Sequence, residues 1–144
     1  MEMIKSLVNF PILYDTFLIL IALLLSSIIG WEREKRHKPA GLRTHVLVCI
    51  SACALVIITK NHIPNDYARI IQGIITGVGF IGAGSIIAQR KQVVGITTAA
   101  SILFVAVLGI VIGLGEILLA TFLTILSFLI LRYLRLLEKR ISKE

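Results

Sequence analysis

The chain has 144 residues, of which 57% are hydrophobic and only 16% are charged, and its formal net charge is +7. A soluble domain usually has about 45–50% apolar and about 25% charged residues, so this composition excludes an ordinary soluble domain and indicates a membrane protein. In a membrane protein the positive charge predicts cytoplasmic loops and contact with anionic lipid rather than with nucleic acid.

Uncharged segments separated by short charged links predict five transmembrane helices. About 20 helical residues cross the bilayer core, and a helix satisfies its own backbone groups in lipid. The fold class is therefore all-α, a multi-pass helical bundle forming a single transmembrane domain over residues 1–144. The predicted helices and the basic tail that follows them cover residues 11–31, 42–60, 68–89, 93–114, 116–136 and 137–144.

The distribution of basic residues predicts the orientation of these helices. With five spans, 12 of the 15 Lys and Arg residues fall on the same side of the membrane, and Lys5, Lys60 and Arg69 fall on the other. Because basic residues concentrate on cytoplasmic loops, the N-terminus is predicted outside and the C-terminus in the cytoplasm. Four spans would place the basic tail beside the weakly charged 60–69 link, which fits the rule less well.

A polar cluster is predicted where the first helix ends and the second begins. It comprises Glu32, Glu34, Arg43, Thr44 and His45. Ionisable groups near the hydrocarbon are costly and usually have a partner or a function, and the two glutamates are the natural partners of Arg43. The cluster is either an interfacial ion pair that fixes two helices or a cytoplasmic-side site for an ion, a proton or a partner protein.

Two further groups of polar residues follow. His45, Cys49 and Cys53 share one face of the second predicted helix, but at about 1.5 Å per residue they are too spread out to close around one ion. No metal site is therefore predicted. Asp66 and Arg69 flank the start of the third helix, where an outer-side ion pair and a helix cap are expected.

Residues 77–82 read GVGFIG, which matches the G-x-G-x-x-G pattern of dinucleotide-binding folds. That pattern needs a preceding strand, whereas this one lies in an uncharged apolar segment, so the nucleotide interpretation is rejected. Small residues let membrane helices approach closely, which favours helix packing; an unwound segment lining a site is the alternative. The glycines concerned are Gly73, Gly77 and Gly84 on one face, and Gly79 and Gly82 roughly opposite.

The fourth predicted helix carries a second small-residue stripe that starts at Gly95, which makes the third and fourth helices expected neighbours. Thr97, Thr98 and Ser101 near its start are candidates for hydrogen bonds between helices, or for the lining of a path.

The order and spacing of five stretches resemble the membrane domain of the MgtC/SapB family over nearly the whole chain. These stretches are GWERE at 30–34, KPAGLRTH at 38–45, ARI with QG at 68–73, GVGFIGAG at 77–84 and GITTAAS at 95–101. The motif residues carried over are Glu32, Arg43, Thr44, His45, Arg69, Gly82, Gly84 and Thr97. Val94 departs from the family, which often has Arg before the GITTAAS motif, and the soluble domain of longer members has no counterpart in these residues.

The resemblance implies a multi-pass protein of the bacterial inner membrane, linked to survival in low magnesium and, in pathogens, to virulence. It implies regulation of ion or membrane-potential homeostasis by binding other membrane proteins, notably the F-type ATP synthase. No cofactor is predicted, and no enzymatic activity is predicted either, because no nucleophile is placed by a base. The small-residue faces also predict a homo-oligomer. The alternative function is a cation or proton channel or transporter with a path lined by helices two to four.

Overall fold

The computed structural model describes the backbone of residues 2–89 and 92–134 and the side chains of residues 12–86 and 94–134. Five helices account for most of it. They are α1 (Glu2–Lys35), α2 (Leu42–His62), α3 (Tyr67–Gly84), α4 (Ile96–Gly113) and α5 (Ile117–Leu129). A 3₁₀ turn (Pro64–Asp66) precedes α3, a π-helical turn (Ile130–Leu134) continues α5, and two short strands, β1 (Ile87–Gln89) and β2 (Gln92–Val94), connect α3 to α4.

The predicted all-α fold with five helices is confirmed. Within the described parts of the chain, four segments are long and apolar enough to cross a membrane: Ile12–Lys35, Leu42–His62, Ile96–Gly113 and Ile117–Leu134. The fifth helix, α3, has 18 residues and would extend over about 27 Å at ~1.5 Å per residue. Its crossing of the bilayer, and the orientation with the N-terminus outside, stay predictions.

Two helix ends show why the chain turns where it does. After α1, His37 adopts a left-handed conformation (φ 51°), and the amides of His37 and Lys38 donate to the carbonyls of Glu34 (2.9 Å) and Arg33 (3.1 Å). After α4, Gly115 (φ 95°) directs the same pair of bonds to the last turn of that helix. This Schellman arrangement satisfies the final carbonyls of a helix, so the GLGE sequence at 113–116 is a tight turn.

The third predicted helix, 68–89, was too long, because α3 ends at Gly84 and an antiparallel hairpin follows. The Ser85 hydroxyl donates to the Gly82 carbonyl at 2.7 Å, which helps to close the helix end. Gly95 then adopts φ +100°, and a Cβ there would lie 2.0 Å from the Ser85 carbonyl oxygen. Glycine is therefore required where the chain leaves the hairpin. Arg90 and Lys91 lie outside the described residues.

The core lies where α2 and α4 pack together, with α1 and α5 covering one side and α3 the other. A Cβ on Gly109 would lie 2.2 Å from the Cys49 carbonyl oxygen, and one on Gly113 would lie 2.8 Å from the Val56 Cβ. These two glycines of α4 let its backbone approach α2 closely, as small residues do between membrane helices.

Candidate functional site

Two glycines bring the end of α1 against the start of α2. A Cβ on Gly30 would lie 2.8 Å from the Cα of Leu42 and 3.1 Å from the Cβ of His45. The Glu34 carboxylate accepts a hydrogen bond from the Leu42 amide at 2.9 Å and also packs against Gly41. Because the first amides of a helix have no partner within it and carry partial positive charge, Glu34 caps α2 from the neighbouring helix.

Arg33 is the buried cation of this corner, with 2% of its surface exposed. Its Nη2 donates to Thr98 Oγ1 on α4 at 3.4 Å, and its Nη1 lies 3.8 Å from the Glu32 carboxylate. A buried charge persists only when it is paired and hydrogen-bonded. Arg33 therefore ties the end of α1 to the first turn of α4.

Glu32 is buried as well, and its carboxylate forms an ion pair with Arg36, which directly follows α1. The expected pairing of Arg43 with Glu32 or Glu34 is not formed. Arg43 is exposed, and it makes no ion pair with any residue in the described ranges. Because α1 continues to Lys35, the basic side chains of Arg33 and Arg36 lie beside Glu32 and pair with it.

His45 connects α2 to α4. Its Nδ1 lies 2.8 Å from the Gly41 carbonyl oxygen and its Nε2 lies 3.0 Å from Ser101 Oγ. Because a carbonyl oxygen only accepts, Nδ1 carries a hydrogen in this contact. The Ser101 hydroxyl is also 2.8 Å from the Thr98 carbonyl oxygen, so its hydrogen can go to either neighbour. His45 is fully buried.

These five buried side chains form what we call the polar clamp: Glu32, Arg33, His45, Thr98 and Ser101. The clamp joins α1, α2 and α4 at one end of the bundle. Ser101 beside His45 has the spacing of a hydroxyl nucleophile and its base, but a nucleophile needs an approachable reacting atom. Both groups are enclosed and bonded to helix carbonyls, and this arrangement cross-links helices.

The glycines of α3 differ from those of α4. A Cβ on Gly73, Gly77, Gly79 or Gly84 would meet no atom within 4 Å among the described residues. Only Gly82 is packed: a Cβ there would lie 3.5 Å from the Ala99 carbonyl oxygen. Of the glycines interpreted as packing or site-lining, most are therefore unpacked within the chain.

A groove of about 560 Å³ lies between α2 and α3, with Gly73 and Gly77 in its wall. We call it the α2–α3 groove. Its other lining residues are largely apolar: Leu47, Val48, Ser51, Ala52, Leu55, Arg69, Ile70, Ile74, Val78 and Ile81. An open, apolar and glycine-walled surface is the form that a membrane helix would complement.

The remaining predicted residues lie apart from one another. Thr97 is exposed and lines a cavity of about 230 Å³ between α4 and α5, and Thr44 is half-buried. At the other end of the bundle, Arg69 Nη1 is 3.4 Å from Asp66 Oδ1, and the pair is exposed.

The cysteines of α2 belong to the apolar core. Cys49 and Cys53 are both free and fully buried. Within the described part of the chain, no group of three or more His, Cys, Asp or Glu is placed to hold a metal ion.

Arg33 is the residue of the clamp that the sequence does not single out, because the predicted first helix ends at residue 31 and leaves Arg33 in the loop that follows. The spacing of residues along α1 could have identified Arg33 as a buried position. The buried residues of α1 follow the spacing Leu18, Ala22, Ser26, Ile29, and the next position on that face is 33. Extending the stripe by one turn puts Arg33 toward the core.

Comparison with known proteins identifies the family of this chain. The model of the MgtC family matches residues 19–140. The chain belongs to the MgtC family. The family match covers α1 from residue 19, the whole of α2, α3, α4 and α5, and every residue of the clamp. With four helices long and apolar enough to span a membrane among the described residues, this MgtC-family chain is a multi-pass membrane protein. No solved structure matches it.

The chain is also similar to three curated proteins. It is 37% identical to the putative magnesium transporter YhiD of Escherichia coli K12 over 88% of this chain, and 36% identical to protein MgtC of Salmonella typhimurium LT2 over 78%. It is 42% identical to protein SapB of Bacillus subtilis over 66% of this chain. The matches span 63%, 47% and 45% of those proteins' own lengths.

Proposed function

We propose that this chain is a regulatory adaptor of the bacterial inner membrane that acts in magnesium limitation by binding another membrane protein. The link to magnesium follows from membership of the family and from a relative named as a putative magnesium transporter. The F-type ATP synthase is the first candidate partner, as implied by the family resemblance, and a second copy of the chain is the other.

The α2–α3 groove is the observation that carries this proposal. Helices associate in lipid by close packing, because lipid tails are as apolar as the side chains they contact. Gly73 and Gly77 leave space beside α3 that no described residue fills. A partner helix lying there would reach the backbone of α3 and gain packing contacts that lipid chains supply less well.

The interior favours an adaptor over an ion path. The polar clamp lies at one end of the bundle, and beyond it the α1, α2, α4 and α5 interface is lined mainly by apolar side chains such as Leu18, Ile57 and Leu108. The buried hydroxyls of Ser26 and Thr124 are bonded to carbonyls of their own helices. A hydrated path needs polar groups or water along its length. The alternative function predicts a path lined by helices two to four, which would include α3. No described side chain of α3 makes a hydrogen bond with the polar clamp.

The adaptor proposal is tested by filling the groove. Gly73→Leu and Gly77→Leu place a large side chain in the groove, and Gly79→Leu is the matched control. Gly79 has the same helix, residue type and free space but does not line the groove. Each variant would be captured from native membranes after mild crosslinking, and the captured proteins identified by mass spectrometry.

Loss of a specific partner in the two groove variants, with retention in Gly79→Leu, is the expected result. Equal capture by all three variants would reject the groove as the binding surface. The mass of the crosslinked species separates a second copy of this chain from ATP synthase subunits.

The second candidate function is a cation or proton channel or transporter. The clamp favours it, since Glu32 and His45 are buried ionisable groups and such groups mark ion pathways in many membrane proteins. Purified chain in liposomes is expected to carry no magnesium, potassium or proton flux above empty liposomes. Flux that disappears in Ser101→Ala and persists in Gly79→Leu would replace the adaptor proposal with this one.

A further inference from the structure

A second, charged pocket lies on the opposite side of the bundle from the α2–α3 groove. It has a volume of about 290 Å³ and lies between the end of α1 and the end of α5. We call it the basic pocket; six side chains line it: Trp31, Glu32, Lys35, Arg36, Phe128 and Arg132. Three of these carry positive charge and one carries negative charge.

The single carboxylate of the basic pocket is already engaged. Glu32 is 5% exposed and forms ion pairs with Arg36 and with Arg33. Lys35 and Arg132 are exposed and make no ion pair with residues in the described ranges. An anion in the pocket would therefore meet cations whose charge is not consumed by Glu32.

Aromatic rings position the two exposed cations. Lys35 Nζ lies 5.2 Å from the centre of the Trp31 ring, and the Arg132 guanidinium lies 5.8 Å from that of Phe128. Contacts of this length attract a cation to the ring face, by about 0.5–1 kcal/mol at exposed sites. Each of the two cations therefore has an aromatic neighbour within the pocket that favours its position there.

The location of the pocket indicates what kind of anion it would meet. It lies where two spanning segments, Ile12–Lys35 and Ile117–Leu134, end together. Tryptophan and basic residues at such ends lie at the level of lipid headgroups. Exposed apolar side chains one and two turns back, Leu24, Ile28 and Ile125, share the helix faces of the pocket residues and would contact acyl chains.

We propose that the basic pocket binds the phosphate group of an anionic membrane phospholipid. Basic pockets between transmembrane helices are a recognised form of headgroup site, and Arg presents several N–H donors in a geometry that matches phosphate oxygens. This binding is independent of partner docking in the α2–α3 groove, so one can fail without the other.

Trp31 provides a direct test because it is the only tryptophan in the sequence. The full chain would be reconstituted into phosphatidylcholine vesicles that contain phosphatidylglycerol, with bromine on the acyl chains of one lipid or the other. Brominated phosphatidylglycerol is expected to quench Trp31 fluorescence more than brominated phosphatidylcholine at the same mole fraction.

The charge variant is Lys35→Gln with Arg132→Gln, and the matched control is Lys38→Gln with Arg43→Gln. The control removes the same charge from the same end of the bundle but outside the pocket. The pocket variant is expected to lose most of the preference for phosphatidylglycerol, because it removes the two exposed cations that would donate to the phosphate oxygens. The control is expected to keep most of the preference.

Three results would overturn the proposal. One is equal quenching by the two brominated lipids, and another is an equal loss of preference in both double variants, which would indicate general surface charge. The third is displacement of brominated phosphatidylglycerol from Trp31 by inorganic phosphate at concentrations too low to screen the membrane surface. That result would identify a site for a free anion. Circular dichroism in detergent confirms that the double variants are folded before either is compared.

Discussion

Glycine has opposite roles in α4 and in α3. In α4, Gly109 and Gly113 lie against α2, and an added Cβ would come within 2.2 Å and 2.8 Å of its atoms. In α3, Gly73 and Gly77 face a groove in which an added Cβ would meet no atom of the described residues within 4 Å. The same residue type therefore closes the interior at one helix and leaves a surface open at the other.

This difference divides the molecule into a scaffold and an exposed element. α1, α2 and α4 share the polar clamp, the glycine contacts and the larger part of the buried core. α3 contacts α2 and α4 mainly through Ile74, Val78 and Gly82, which are its buried residues. Substitutions in the scaffold should therefore cost stability, while substitutions in the open wall of α3 should change binding alone.

The largest loss of stability is expected for Arg33→Met, because it leaves the Glu32 carboxylate and the Thr98 hydroxyl buried without this cation. Removing one member of a buried pair costs about 3–5 kcal/mol. Reversible unfolding in mixtures of detergent and denaturing surfactant would measure this loss in the free energy of unfolding. Arg43→Met is the control: Arg43 is exposed, so the free energy of unfolding of this variant should stay within about 0.5 kcal/mol of the parent. Equal losses in the two variants would show that Arg33 does not stabilise the scaffold.

Gly109→Ala is expected to rank second. Its new methyl group would overlap the Cys49 carbonyl, so α4 must move away from α2, and overpacking of this kind costs about 1–3 kcal/mol. The same unfolding assay measures the effect. A Gly109→Ala variant as stable as the parent would show that α2 and α4 are less closely packed than the contact between Gly109 and Cys49 indicates.

Ser101→Ala is expected to have a smaller effect. It removes the hydroxyl that contacts His45 at 3.0 Å, and hydrogen bonds between membrane helices contribute about 0.6 kcal/mol on average. A double-mutant cycle with His45→Phe isolates the coupling between the two side chains. Additive losses would mean that the two groups are neighbours without a stabilising bond.

The smallest effect on stability is expected for Gly77→Ala, within about 0.5 kcal/mol of the parent. Its methyl group enters the open groove and contacts no described residue. Comparison with Gly109→Ala in the same assay is the sharpest test of the contrast between the two helices. A loss as large as that of Gly109→Ala would show that the groove is filled in the folded protein.

The sequence predicted the number and approximate positions of the helices because charged residues lie between the uncharged apolar segments. It was less accurate at the ends, where hydrophobicity alone gives no stopping signal. Helix α1 continues through its charged residues to Lys35, since Glu32 and Arg33 are buried there. Helix α3 ends at Gly84, and a hairpin completes its connection to α4.

The candidate site was predicted in part. Glu32, His45 and Thr98 lie together in the clamp, whereas Arg43 and Thr97 are exposed. Hydropathy could not distinguish Arg33 from Arg43, because both lie near the same boundary and carry the same charge. Only the angular position of each residue on its helix decides which one points inward.

By itself the sequence determined that the chain is a helical membrane protein with a charged cluster between its first two helices, because composition and charge spacing dictate which segments can leave water. Only the tertiary structure decided which glycines are contacts and which are surface. That choice depends on where another backbone lies, and no local pattern encodes it: Gly77 and Gly109 are alike in sequence context, yet one faces an open groove and the other the carbonyl of Cys49.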